Sequence, residues 1–468
     1  MKIRHTEIEI DEKDPFVNCK LDRKQYAQVL SDIVNTYADG FVLSINNEWG
    51  TGKTTFVKMW QQELKNNEVK TIYFNAWEND FDNNPLVALM SELETLTKKN
   101  NKTFKSVVEK GAVLTKDVLP ALLKSVAKKY IDVDIVADAI ENTTKGVTEI
   151  FEKEINEYTN KKKTVLEFQK ELTKFVNETG SGKPLVFIID ELDRCRPDYA
   201  VKVLEQIKHF FSVAGIVFVL SIDKKHLASS IKGYYGSESI NTDEYLRRFI
   251  DLEYSIPKPP TALFCEYLYT YYSFDDFYSS AKRRQYNVFD NDAEMFRKMA
   301  LLLFNNSNAT LRQQEKMFAL TRLVLSSFKP NQYTFSHLLF VLIYMKTMKN
   351  QIYEGIKNNT YSIQELNDIF ENLISVDFEK EYGVNLFYVN ALLLHFYNNS
   401  QEQDNKVKLF ETNAEGKLSC FIKSKLKTNN FGYDLAQCLQ AVTKEYNYNE
   451  TKLSFLLKKI DLTETINK

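Results

Sequence analysis

The 468-residue sequence predicts an α/β fold: a parallel sheet flanked by helices, continued by an α-helical C-terminal region. Three observations predict it. Near-continuous apolar runs at 41–45, 185–189 and 216–220 end in polar or acidic residues, the pattern of strands buried on both faces. A second strand is read at Val69–Phe74, and helical periodicity fills most of the remaining stretches between those runs. Beyond about residue 260 strand patterns largely vanish, and apolar residues such as Phe318, Leu320, Leu323, Val324 and Phe328 recur at helical spacing.

The first run leads into Asn47-Glu48-Trp49-Gly50-Thr51-Gly52-Lys53-Thr54-Thr55, and Phe56–Trp60 continues as a helix. A strand, a small-residue loop ending in Gly-Lys-Thr and a helix form the architecture of a phosphate-binding loop, or P-loop. Gly50 and Gly52 let successive backbone N–H groups turn toward one anion, and the helix start adds its positive dipole end. Lys53 is expected to reach the β- and γ-phosphates of a nucleotide, and the Thr54 hydroxyl to ligate Mg²⁺. The formal motif opens on Gly where this chain has Asn47. Asn tolerates left-handed backbone better than other side-chain-bearing residues, so the loop is expected to survive the exchange. A Gly-Thr-Gly turn before an ordinary helix is the competing reading.

Such a site needs an acid at the end of another strand. The second run ends in Asp190-Glu191. Asp190 is the candidate Mg²⁺ holder (the Walker-B acid) and Glu191 the candidate group to polarise the attacking water. Gly180-Ser181-Gly182-Lys183 imitates a second phosphate loop, but Pro184 and a strand follow it, so it reads as a turn. The third run ends at Ser221 and Asp223, where open α/β sheets place their ligands. One of the two is a candidate γ-phosphate or water sensor; a helix cap at Asp223 is the equal alternative.

These residues resemble the KAP family of P-loop NTPases. Glu48-Trp49-Gly50-Thr51-Gly52-Lys53-Thr54 carries the resemblance, with Tyr73–Glu78, then Ile189-Asp190-Glu191-Leu192-Asp193-Arg194-Cys195-Arg196-Pro197. Asp14-Pro15, Leu21-Asp22-Arg23, Tyr26-Ala27 and the stretch from Tyr245 to Pro257 fit as well, so the match runs from about residue 14 to 260. The resemblance implies ATP as nucleotide and a sheet of the additional-strand type, in which another strand separates the P-loop and Walker-B strands. It also implies that many relatives carry transmembrane helices within the NTPase domain and that bacterial relatives look like mobile-element or antiphage-defence proteins. Most relatives have Gly where Asn47 stands, which bears on tight binding and fast hydrolysis.

Four further groups are site candidates. Asp193 and Arg194 are placed to orient Mg²⁺ or meet a neighbour, against a surface ion pair. Arg247 and Arg248 are arginine-finger candidates, against a solvated helix face. Arg312, in a helix start capped by Asn308 or Thr310, resembles the γ-phosphate sensor of a helical lid, with an ordinary helix start as the alternative. Trp77 reads as packing under the P-loop.

Composition narrows the partners. The net charge is −2, so no whole-molecule field favours nucleic acid. The five cysteines show no paired metal spacing, and a reduced cytoplasmic setting is the simplest reading. The five histidines form no zinc pattern. Asp80, Asp82 and Asn84 imitate a calcium loop but lack its turn Gly, and Pro85 follows. No signal-peptide pattern opens the chain, and no apolar run is long enough to span a bilayer. The longest, Leu338–Met345, is too short.

The expected organisation is an N-terminal segment with the P-loop half (1–95), a lysine-rich helical insertion (96–175), the Walker-B half (176–260), a helical lid (261–330) and an α-helical C-terminal domain (331–468). In the insertion, Lys102, Lys105, Lys110, Lys116, Lys124, Lys128 and Lys129 stand against Glu109 and Asp117, interleaved with apolar positions and interrupted by Pro120. This basic amphipathic stretch, 102–130, has three readings: a helical insertion packed on its own apolar side, an oligomer or partner surface, or a peripheral membrane or nucleic-acid element. Tyr267, Tyr269, Tyr271 and Tyr272 lack an interleaved basic stripe and read as core or interface.

The leading functional expectation is an ATPase that binds and hydrolyses MgATP to drive a conformational or assembly switch, as a homo-oligomer or with an effector protein. The alternatives are a nucleotide-gated adaptor with negligible hydrolysis and a nucleic-acid-stimulated motor.

Overall fold

The structure, a computed structural model, describes residues 8–37, 39–97, 101–114, 147–180, 182–374, 386–414, 417–426, 434–446 and 451–462. The lysine-rich stretch from Lys116 to Lys129, with Asp117 and Pro120, lies outside the described residues, as does Ser181. The chain divides between Lys258 and Pro259 into two compact units.

The first unit is built on a five-stranded, all-parallel sheet. Its strands are β1 (Phe41–Asn46), β2 (Thr71–Asn75), β3 (Leu185–Asp190), β4 (Ile216–Ile222) and β5 (Leu252–Tyr254), in spatial order β2-β3-β4-β1-β5. The third run of the sequence therefore separates the P-loop strand β1 from the acid-ending strand β3, the additional-strand arrangement. Every residue of β3 and β4 is buried, which is why the runs carry no polar alternation.

The period of two sorts each strand onto two faces. Leu43, Ile45, Val186, Ile188, Val217 and Val219 pack with helices α1 (Lys24–Thr36) and α2 (Lys53–Asn66). Phe74, Leu185, Phe187, Ile189, Phe218 and Leu220 face the other way. That second face is covered by α3 (Pro85–Glu94), α4 (Lys102–Leu114), the C-terminal part of α5 (Val147–Gly180), α6 (Pro197–His209) and α7 (Lys224–Tyr235), which contribute Leu89, Phe104, Phe175, Tyr199 and Leu227. A short helix, α8 (Thr242–Leu246), leads toward β5.

The described half of the basic amphipathic stretch is α4, and its apolar side is used within the unit. Phe104, Val107 and Val108 are buried, Phe104 lies 5.3 Å from the Phe175 ring of α5, and Lys110 pairs with Glu167 at 2.5 Å. Over these residues the buried apolar positions of α4 are taken up within the unit, while Val113 is exposed.

The second unit is mainly helical: α9 (Thr261–Tyr271), α10 (Asp275–Tyr278), α11 (Asp292–Asn305), α12 (Leu311–Leu325), α13 (Ser336–Met348), α14 (Asn350–Lys357), α15 (Ile363–Leu373), α16 (Leu386–Ser400), α17 (Leu435–Tyr446) and α18 (Leu453–Ile460). Phe274, Phe296, Phe318 and Phe340 form its aromatic centre, with Phe274 and Phe296 stacked at 4.7 Å. Tyr269 and Tyr272 are buried. An antiparallel pair of three-residue strands, Phe410–Thr412 and Leu418–Cys420, interrupts the helices. It is too short to stand out in the sequence pattern. Among the described residues no helix is long and apolar enough to cross a membrane.

Candidate nucleotide-binding site

The loop between β1 and α2 has the backbone of an anion cradle. Gly50 and Gly52 take φ of +77° and +79°, a region costly to residues with a Cβ, and Gly52 caps the N-terminus of α2. Thr51 closes the turn by donating its hydroxyl to the Glu48 carbonyl at 2.8 Å. Thr54 and Thr55, half-buried, form the first turn of α2 behind Lys53.

Asn47 is not in left-handed backbone. Its carboxamide instead donates to the Ile256 carbonyl at 2.8 Å and accepts from the Ile256 N–H at 2.9 Å. The reason for an Asn here is thus a side-chain clamp on the chain leaving β5, and the conformational tolerance expected from the sequence is not what the position uses.

Lys53 is 8% exposed. Its ammonium donates to the carbonyls of Asn47, at 2.5 Å, and Glu48, at 3.2 Å, which leaves its third N–H without a partner among the described residues. Burial pulls the Lys53 pKa down, opposed by the nearby carboxylates of Asp193, Asp223 and Asp190. A buried lysine facing three acids is an electrostatic setting that fits a bound phosphate and a divalent cation.

The carboxylates come from the ends of β3 and β4. Asp190 is 1% exposed and follows Val186 and Ile188 in the alternation, so it faces the same side of the sheet as α2. Tyr73 donates its hydroxyl to Asp190 Oδ2 at 2.9 Å. Ser221 lies in register between Asp190 on β3 and Ile45 on β1; its buried hydroxyl has no partner among the described residues. Adjacent parallel strands lie about 4.8 Å apart, so β1 and β3 end two strand spacings, about 10 Å, from one another. Thr54 and Asp190 are the residues that would hold Mg²⁺; the geometry has a buried carboxylate on the P-loop face, as such an ion requires.

Glu191 follows in left-handed backbone, φ +61°. Its carboxylate is engaged at both oxygens: Arg194 Nη1 lies 2.5 Å from Oε1, and Asn75 donates to Oε2 at 3.3 Å. Burial raises its pKa, opposed first by Arg194. Asp193 is 5% exposed and accepts the indole N–H of Trp49; burial raises its pKa, and Trp49 and Lys53 oppose the rise. Asp223 caps α7, accepting from the N–H groups of Lys225 and His226, and also accepts the Trp49 backbone N–H at 3.2 Å. His226 stacks on the Trp49 ring at 3.6 Å.

Arg23, 4% exposed, underpins the loop by donating to the Thr51 carbonyl at 2.7 Å and the Gly52 carbonyl at 3.1 Å. The sequence marks Arg23 only as part of a family motif. Tyr73 and Asn75 are likewise marked only within the family stretch Tyr73–Glu78, and His226 has no local sequence signal. Trp77 does not pack under the P-loop: it is 51% exposed, on a single 3₁₀ turn after β2, with the Arg194 guanidinium 5.6 Å from its ring. The expectation of burial follows from its size; the turn carries it outward instead.

Arg247 and Arg248 do not lie at the loop. Arg247 and Arg248 precede β5, and the adjoining Asp251 N–H bonds the Val42 carbonyl at the start of β1, so both belong to the end of the sheet opposite the P-loop. Arg247 is 75% exposed and pairs with Glu244 at 3.6 Å. Arg312 belongs to the second unit, in the first turn of α12, where Thr310 and Gln313 form a capping box.

The model of the KAP family P-loop domain matches residues 23–320, more than half of the chain. An uncharacterised protein of Methanocaldococcus jannaschii, MJ0182, is 26% identical over 176 residues, which cover 33% of this chain and 90% of that protein. Among solved structures, the chain is similar to the Aeropyrum pernix ORC2 protein in ADPNP and ADP complexes (13% identity, 90% of this chain and 94% of that one, TM-score 0.34). It is also similar to Cdc6p from Pyrobaculum aerophilum (11% identity, 96% and 98%, TM-score 0.35) and to Drosophila ORC bound to DNA (11% identity, 93% and 97%, TM-score 0.32).

Proposed function

Because the chain belongs to the KAP family of P-loop NTPases, we propose that it binds MgATP at the β1–α2 loop, hydrolyses it, and uses the nucleotide state to switch its own conformation or assembly. The observation that supports this most is the convergence of a buried Lys53 and a buried Asp190 on the α2 side of one sheet, beside a loop with anion-cradle dihedrals. Lys53 exchanges carbonyl partners for β- and γ-phosphate oxygens. The loop N–H groups and the start of α2 hold the rest of the phosphate chain. Mg²⁺, when bound, neutralises charge shared by the two terminal phosphates. Glu191 takes a proton from the attacking water, which joins the γ-phosphorus as the bond to the β-phosphate oxygen breaks. Any arginine that completes the site from Arg247 or Arg248 comes from a neighbouring copy, because within one chain both lie at the far end of the sheet. Bacterial antiphage defence, the setting the family resemblance implies, is part of the proposal, with an effector protein as the partner that delivers the output.

Phosphate release assays test the enzymatic part. Lys53→Ala is expected to weaken binding by at least about tenfold, and Glu191→Gln to keep binding while lowering turnover by about 10²–10⁴-fold. A Lys53→Ala variant with wild-type turnover overturns the proposal. The engagement of both Glu191 oxygens favours a second reading, a nucleotide-gated adaptor in which binding alone orders the protein. That reading predicts that Glu191→Gln retains biological activity.

A further inference from the structure

We infer that Arg194 and Trp49 are positioning residues that hold Glu191 in check until the phosphate loop fills, an inference that rests on the MgATP reading above. A general base needs a lone pair free and directed at its water. Both Glu191 carboxylate oxygens already carry a partner: Arg194 Nη1 lies 2.5 Å from Oε1 and Asn75 donates to Oε2 at 3.3 Å, so the carboxylate is held in direction and its basicity is lowered by the guanidinium, with the Glu191 side chain only 14% exposed. Its backbone is equally fixed. At φ +61°, a conformation that costs a side-chain-bearing residue about 1 kcal/mol or more, the Glu191 N–H donates to Asp190 Oδ1 at 3.0 Å and to the Ser221 carbonyl at 3.3 Å.

Arg194 is itself part of a stack that reaches into the phosphate loop. Its guanidinium lies 5.7 Å from the Trp49 ring and 5.6 Å from the Trp77 ring. Trp49 is pinned by its indole N–H to Asp193, by its backbone N–H to Asp223, and by stacking on His226. One loop side chain thereby touches the elements after β3 and β4 at once, and it stands one residue before Gly50, in the backbone that must wrap an anion. Filling the loop draws Lys53 off the Asn47 and Glu48 carbonyls and repositions residue 49. Arg194, packed on that ring, then leaves Glu191. Release of the guanidinium frees the carboxylate to accept a proton. The Arg194–Glu191 pair is the resting latch, and Trp49 is the contact through which the loop opens it.

Steady-state turnover and tryptophan fluorescence on the full chain test this. Arg194→Gln is expected to raise kcat about tenfold, the order expected for one charge-assisted hydrogen bond, with little change in KM. Arg194→Lys, which keeps a cation, stays near wild type. MgATP changes the wild-type tryptophan emission, and Trp49→Phe removes most of that change while Trp60 and Trp77 remain. An Arg194→Gln kcat that is unchanged or lower, with binding intact, overturns the latch, as does MgATP binding without turnover in either chain. A wild-type chain that neither binds nor hydrolyses MgATP sinks the parent proposal and this one together; binding and turnover indifferent to Arg194 sink only the latch.

Discussion

The Asn47 carboxamide and the Ile256 peptide exchange two hydrogen bonds across 209 residues of sequence, tying the entrance of the phosphate loop to the segment that follows β5. This clamp explains why a residue other than Gly stands at the opening position of the loop. Restoring the common Gly is therefore a loss: Asn47→Gly removes both bonds and leaves the Ile256 groups partly buried. Chemical denaturation is expected to show a loss of about 1–2 kcal/mol. A gain in stability contradicts the clamp.

Arg23 makes a second prediction. Its guanidinium holds the Thr51 and Gly52 carbonyls from below, which orients the opposite, N–H side of those peptides toward the anion cradle. Arg23→Ala is expected to destabilise the protein by about 2–4 kcal/mol and to weaken nucleotide binding in the same variant. Arg23→Lys, a single point charge in place of a fork, falls between. Thermal unfolding and nucleotide titration read the two effects side by side. Unchanged nucleotide affinity in a folded Arg23→Ala variant shows that the loop needs no such support.

Two histidines, a buried His395 and a half-buried His337 with shielded ring nitrogens, bear on the acid stability of the helical unit. Both His337 ring nitrogens are shielded and lack partners among the described residues, and burial pulls its pKa down to about 4. His395, 5% exposed, is likewise pulled down to about 4. The unfolded chain takes up these protons near pH 6.5 while the folded chain refuses them until about 4, so stability falls as pH drops through that window. Each contributes a slope of at most ~1.4 kcal/mol per pH unit. Urea midpoints at a series of pH values check this: the double variant His337→Gln, His395→Gln gives a flatter acid limb than wild type. Equal slopes contradict it.

The strands β1, β3 and β4 are legible in the sequence because burial on both faces forces continuous apolar runs, and the ends of those runs carry the site's charges. β5 is not, because it has three residues and two of them, Leu252 and Glu253, are exposed. Trp77 misleads because size argues for burial, whereas a single 3₁₀ turn at the sheet's edge presents it to solvent and to Arg194. The site's second layer is illegible for a different reason. Trp49 meets Asp193 across 144 residues and Tyr73 meets Asp190 across 117. Local periodicity reports which face a residue occupies, not which side chain waits on that face. The register of neighbouring parallel strands decides those pairings.

Nucleotide titration with and without Mg²⁺, on wild type, Lys53→Ala and Asp190→Asn, tests the central claim most directly. The account predicts that wild type binds ATP more tightly with Mg²⁺ present, that Asp190→Asn erases the Mg²⁺ advantage, and that Lys53→Ala weakens binding by at least about tenfold in either condition. Equal ATP affinity in all three chains, with or without the metal, contradicts it.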